Sequence, residues 1–122
     1  MKFLHTDKAP AAVGPYSQGV HSCRAIYVSG QLPVKDSQMQ TDFAKATTAS
    51  LENILSIISA GGGSKENIVK CVIFLTDMDK FSQVNEAYAA FFGEHKPARS
   101  CVEVSRLPKD AVLEIEAIAM LE

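Results

Sequence analysis

The segment from Val112 to Leu121 constrains the fold more than any other part of the chain. Strand alternation sorts it into two faces. Leu113, Ile115, Ala117, Ala119 and Leu121 lie on one, and Val112, Glu114, Glu116, Ile118 and Met120 on the other. The first face is wholly apolar and must be covered by the chain itself. The second mixes three apolar residues with two carboxylates, and a lone subunit would expose it as a large patch. Only two segments carry helical periodicity, and two helices cover one face of a sheet of this size. The expected architecture is α+β: a two-layer fold with a mixed β-sheet of five to six strands and two helices on one face. The leftover apolar face predicts a homo-oligomer packed through the sheet, with Arg99, Cys101 and Glu114 lining the subunit contact.

The remaining elements follow in order. Residues 17–30 read as two strands around a turn at Ser22-Cys23-Arg24, with Ile26 and Val28 on one face and Ala25, Tyr27 and Ser29 on the other. Phe43, Thr47, Leu51, Ile54 and Ile58 recur at helical spacing, Asp42 is the expected N-cap, and Gly61-Gly62-Gly63 stops the helix, which spans about 42–60. Because the glycines follow a helix, they are turn chemistry and not a phosphate loop. Ile68 to Thr76 is nearly all apolar or β-branched and suits a central strand covered on both faces. Asp79 is expected to cap a second helix with a core stripe of Phe81, Val84, Tyr88 and Phe91 or Phe92, ended by Gly93. The next strand puts Arg99, Cys101 and Glu103 on one face. The strand, helix, strand unit from 68 to 104 should cross over right-handed.

Length and composition bound the partners. With 122 residues, 47% of them hydrophobic, residues 1–122 make one domain with an adequate core. Twelve basic against fourteen acidic residues leave a net charge of -2, with no basic stripe of the kind a nucleic-acid binder carries. No apolar run approaches the roughly 18 residues of a membrane helix, and residues 1–7 lack a signal-peptide core. A cytoplasmic protein is expected, with no nucleic acid and no membrane as partner. Cys23, Cys71 and Cys101 are widely spaced and odd in number, and His5, His21 and His95 show no ligand spacing. Neither disulfides nor a metal are expected, and no cofactor motif is present.

Two charges stand inside apolar strands: Arg99 in Pro97–Val104 and Glu114 in Leu113–Ala117. A partly buried ion needs a partner or a substrate. Arginine offers a planar fork for a carboxylate, and a carboxylate in a partly dry cleft can take a proton from water. The pair therefore reads either as a site for hydrolysis of a small acid or as a structural ion pair between two adjacent strands.

Five further blocks stand in order along the chain: Gly14-Pro15-Tyr16-Ser17-Gln18-Gly19, Val28-Ser29-Gly30-Gln31-Leu32-Pro33, Leu51-Glu52-Asn53-Ile54, Phe74-Leu75-Thr76-Asp77-Met78 and Val84-Asn85-Glu86-Ala87-Tyr88. With Pro97–Glu116 they resemble the reactive-intermediate deaminase family, the RidA or YjgF group, over nearly the whole length. The resemblance implies a chorismate-mutase-like fold, a homotrimer with three clefts between subunits, and cofactor-free hydrolysis of 2-imino acids such as 2-iminobutanoate and 2-iminopropanoate to 2-keto acids and ammonia. By position it implies that Arg99 grips the substrate carboxylate, Glu114 holds and activates water, and Cys101 lines the site. Tyr16, Ser29, Gly30 and Asn85 would complete the pocket, some from a neighbouring subunit. A keto-acid-binding regulatory module, a 3-aminoacrylate deaminase and an endoribonuclease are the other functions weighed; the acidic balance argues against the last. Two segments depart from the family pattern. Leu32–Asp42 is shorter and lacks the common glycine turn, which predicts a clipped hairpin, and in the short 93–97 segment Lys96 replaces an aromatic residue, which alters the expected pocket beside Arg99.

Overall fold

Leu113, Ile115, Ala117 and Ala119 are all buried, and the molecule is assembled around the strand that carries them. The computed structural model describes residues 1–122. Its strands are β1 (Lys2–Leu4), β2 (Gly19–Ser22), β3 (Ala25–Gln31), β4 (Val34–Lys35), β5 (Gln38–Met39), β6 (Ile68–Leu75), β7 (Ala98–Glu103) and β8 (Leu113–Met120); its helices are α1 (Phe43–Ala60) and α2 (Phe81–Phe92). Six strands form one sheet in the order β1-β2-β3-β8-β6-β7, and β4 pairs with β5 in a separate hairpin. Every pairing is antiparallel except that of β6 with β7, which α2 connects. The mixed sheet with two helices matches the expected architecture.

Both helices lie on the face of β8 that carries Leu113 to Ala119. Leu51, Ile54, Ile57 and Ile58 of α1 meet Ile26 and Val28 of β3, while Val84, Tyr88 and Phe92 of α2 join Cys71, Ile73 and Leu75 of β6 in one core. Each such aliphatic side chain contributes roughly 1.5–3 kcal/mol by leaving water. The expected cap of α1 is present: the Asp42 carboxylate accepts from the Lys45 backbone N–H at 3.0 Å. Gly61 ends α1 by donating to the Ile57 and Ile58 carbonyls, and a Cβ there would meet Ile26 Cδ1 at 2.7 Å. The glycine therefore lets the helix end sit directly on the sheet.

Two expectations change. Asp79 does not cap α2; the Asp77 carboxylate accepts from the Asp79 N–H at 3.0 Å and opens a single 3-10 turn, Met78–Lys80, which leads into α2. Glu103 locks that turn by accepting from the Met78 N–H at 2.8 Å, so its charge is structural. A further edge strand, β1, is added at the N-terminus; three residues are too few to show alternation in sequence. It is tied in by buried Gln18, whose amide donates to the Thr6 and Pro10 carbonyls and accepts from the Thr6 N–H.

The other face of the sheet is open. Val20, Tyr27 and Ile118 form a row across it, as do Val102, Phe74 and Glu114, and Tyr27, Val102 and Met120 are exposed. The hairpin of this segment is short, two residues per strand, and it turns without glycine. Asp36 and Ser37 both take positive φ, 50° and 62°, as a tight hairpin turn requires. Side chains there are strained against the following carbonyl. Ser37→Gly is expected to stabilise the fold by about 0.5–1 kcal/mol, read as a rise of a few degrees in thermal midpoint. An unchanged or lower midpoint would contradict the strained turn.

Candidate active site

The candidate side chains fall into two groups, and strand register explains where each one points. Parallel pairing sets Arg99 beside Cys71 and Cys101 beside Ile73. Cys71 and Ile73 face the helices, so Arg99 on the edge strand β7 turns towards α2. Its guanidinium lies over the Tyr88 ring at 4.7 Å and the Phe81 ring at 5.5 Å, and Nη1 donates to Asn85 Oδ1 at 2.9 Å. Phe81, Asn85 and Tyr88 stand four and three residues apart, on one stripe of the helix. Arg99 forms no ion pair: those of the subunit are His5–Asp7, Arg24–Glu122, Lys35–Glu52 and Arg106–Asp110. Burial pushes the Cys101 thiol up and the Arg99 charge pulls it back only in part, which leaves a thiol and not a thiolate at neutral pH. The short connection from α2 holds because Gly93 reverses the chain at φ 62° and His95 bonds the Ile68 carbonyl at 2.7 Å; Lys96 is exposed.

The second group belongs to Glu114, opposite Phe74 on the open face. The β3–β8 register shifts between Val28 and Gln31, and at this irregularity Gly30 lies flat against the Glu114 carboxylate. Any Cβ at position 30 would collide with it. Ser29 is fixed by donating from Oγ to the Ser17 carbonyl at 2.6 Å, and Tyr16 is placed by a turn in which its N–H meets the Gly14 carbonyl at 2.9 Å. Tyr16, Ser29, Gly30, Leu32, Pro108 and Glu114 line a cleft of about 340 Å³. Burial raises the Glu114 carboxyl above its ordinary range, and Glu116, two residues on along the same face, adds to the shift. The group holds a proton more readily than a free carboxylate does, which suits a base that must also act as an acid.

Arg99 and Glu114 do not meet within the subunit. Strand β6 stands between β7 and β8, and the two residues are on opposite faces of the sheet. Parity decides this: Arg99 pairs with Cys71 and Glu114 with Phe74, three residues apart on one strand, an odd number. Within one subunit Arg99 and Cys101 therefore do not share the open face of the sheet with Glu114, which corrects the expectation that packing through that face alone brings the three together, and the alternative of an ion pair between adjacent strands is corrected too. Tyr16, Ser29 and Gly30 gather with Glu114; Asn85 and Cys101 gather with Arg99. Leu32, Pro108, Phe81 and Tyr88 were not foreseen as site residues. The spacing of the last two with Asn85 is a legible signal, whereas nothing in the local pattern points to Pro108.

The raised Glu114 carboxyl has a consequence for stability. The folded chain binds this proton more tightly than the unfolded chain, so stability falls as pH rises from the unfolded value through the folded one. Above that window the ionised group is a burden. Glu114→Gln is expected to melt at a higher temperature than wild type at pH 7, with the difference vanishing near pH 4, at the ordinary carboxylate value. A variant less stable than wild type at pH 7 would show that the carboxylate is stabilised in place.

The comparisons with known proteins cover both groups. The family model described as Endoribonuclease L-PSP matches residues 6–121. The 2-iminobutanoate/2-iminopropanoate deaminase of Escherichia coli (strain K12) is 48% identical over 124 residues, spanning 98% of this chain and 97% of that protein. Among solved structures, E. coli TdcF with bound serine is similar at a TM-score of 0.96 and 44% identity, with all of both chains covered. RidA from the Antarctic bacterium Psychrobacter sp. gives a TM-score of 0.95 at 41% identity, over 99% of this chain and 100% of that one. With both groups of side chains inside the matched span and the same fold throughout, the chain belongs to the Endoribonuclease L-PSP family, the RidA/YjgF group.

Proposed function

We propose that the protein hydrolyses reactive 2-imino acids, 2-iminobutanoate and 2-iminopropanoate among them, to 2-keto acids and ammonia. Each site would combine the Arg99 half of one subunit with the Glu114 half of its neighbour in a homotrimer. The observation that carries this reading is the unpaired arginine. A neutral amide and two ring faces hold the guanidinium, none of them cancels its charge, and a fork of N–H donors remains for a carboxylate. The relative at 48% identity is named for this reaction, and the serine bound to TdcF carries an α-carboxylate of the kind such a fork takes. The family description names an endoribonuclease, but a net charge of -2 supplies no phosphate-neutralising stripe.

The chemistry needs positioning more than power. Arg99 holds the carboxylate and thereby places C2 of the iminium beside a water on Glu114. The water oxygen bonds to C2 as Glu114 takes one of its protons, giving a neutral carbinolamine. Glu114 returns that proton to the amino nitrogen, then accepts the hydroxyl proton as the carbonyl forms and the C–N bond breaks. Ammonia leaves and takes up the proton as ammonium. A carboxyl with raised proton affinity serves each transfer.

The composite arrangement follows from the two faces. A head-to-tail contact can set the Arg99 edge of one subunit against the Glu114 cleft of the next, and such contacts form a ring when the rotation between subunits closes. The number three comes from the family resemblance.

The test is coupled turnover, with a threonine dehydratase generating 2-iminobutanoate and semicarbazide as competing trap. Wild type is expected to speed release of 2-oxobutanoate, and Arg99→Ala and Glu114→Gln each to lose roughly 100-fold or more. Refolding the two variants together in equal amounts should restore about a quarter of wild-type activity, because about one site in four then draws an intact half from each neighbour. No restoration would place both residues in one subunit. No acceleration by wild type would leave a keto-acid binder in place of the enzyme.

A further inference from the structure

We propose that Tyr88 and Phe81 are positioning residues for substrate binding, holding the Arg99 guanidinium flat and ready for a carboxylate before any ligand arrives. The inference rests on the reading of Arg99 as the carboxylate clamp. By sequence pattern both aromatics belong to the core stripe of α2, and nothing in that pattern gives them a further task. Their geometry does. The guanidinium carbon lies over the two rings at 4.7 Å and 5.5 Å from their centroids, within the range of cation–π attraction. Its one hydrogen bond uses Nη1, to Asn85. The Nε and Nη2 donors, which lie parallel along one edge of the fork, are left without a partner in the subunit.

Tyr88 itself cannot swing away. It is 7% exposed, its ring packs against Phe92 at 4.7 Å, and buried Cys71 lies beside it. The Tyr88 hydroxyl is buried, with the Cys71 thiol as its polar neighbour. What acts on Arg99 is therefore the face of the ring and not the phenol. An arginine without this cradle has to freeze four side-chain torsions when the ligand binds, and that loss appears as weaker affinity. Cation–π contacts of this type shift equilibria by roughly 2- to 30-fold.

The experiment compares Tyr88→Leu, Phe81→Leu and Tyr88→Phe with wild type, by calorimetric titration with 2-oxobutanoate and by KM and kcat for 2-iminobutanoate. Both leucine variants are expected to raise Kd and KM about 3- to 30-fold while kcat stays within about threefold. Tyr88→Phe, which keeps the ring face, should restore affinity to within about twofold of wild type. In an Arg99→Ala background the leucine substitutions should have no further effect on binding. Should Tyr88→Leu fail to fold, partly buried Phe81→Leu decides on its own. Unchanged affinity in the leucine variants, a fall in kcat alone, or a Tyr88→Phe protein as weak as Tyr88→Leu would overturn the positioning role while leaving the deaminase reading intact. A wild type that neither binds 2-oxobutanoate nor turns over would overturn both.

Discussion

Pairing of β6 with both β7 and β8 is the constraint on which everything else depends. These three strands carry Arg99, Cys101 and Glu114, and their registers leave no freedom in where those side chains point. Moving either neighbour of β6 by one residue would turn its side chains to the other face. Such a slip is blocked because Leu113, Ile115, Ala117 and Ala119 would leave the core and Glu114 and Glu116 would enter it. The apolar face of β8 therefore fixes the position of the carboxylate as firmly as it fixes the core. The same holds on the other side, where the pairing of Arg99 with buried Cys71 delivers the guanidinium to the aromatic stripe of α2.

Both groups of candidate residues place charge where a single subunit gains little from it. Glu114 is partly desolvated beside a second carboxylate, and Arg99 lies on rings and an amide with no counter-charge. Groups selected for stability are neutralised or left in water. Charges held in partly dry surroundings instead favour a ligand that completes them. Gly30 belongs to the same pattern, since any side chain there would occupy the space that the Glu114 carboxylate fills.

Much of this was legible in the chain. The two-faced pattern of β8, the helix stop at Gly61 and the apolar run of β6 each depend on periodicities that local sequence carries, and all three appear in the fold. What sequence did not carry was register between strands distant in the chain. Arg99 and Glu114 are fifteen positions apart, and no local pattern says that β6 will insert between their strands or that parity will set them on opposite faces. Asp77 displaced Asp79 as the helix-opening cap for a similar reason: two acids two residues apart are equivalent in sequence, and Glu103, far along the chain, fixes the turn at Met78. Phe81 and Tyr88 read as core because they pack against it; the second role proposed for them depends on a guanidinium supplied by another strand.

The opposite placement of the two charges also bears on how subunits meet. Under the proposed assembly, a self-complementary contact centred on the Arg99 edge would oppose like positive charges, and one centred on the Glu114 cleft would gather four carboxylates from Glu114 and Glu116. Like charges held at close range across an interface are strongly disfavoured. A head-to-tail contact sets unlike charges towards each other and gives every subunit the same surroundings, as a closed ring requires. The gap between guanidinium and carboxylate must then stay wide enough for a small acid and a water, because a direct ion pair would quench both groups. In the proposed assembly the contacts of Arg99 with Asn85, Phe81 and Tyr88 would supply that restraint, holding the guanidinium on its own subunit and leaving the fork to substrate and not to the facing carboxylate.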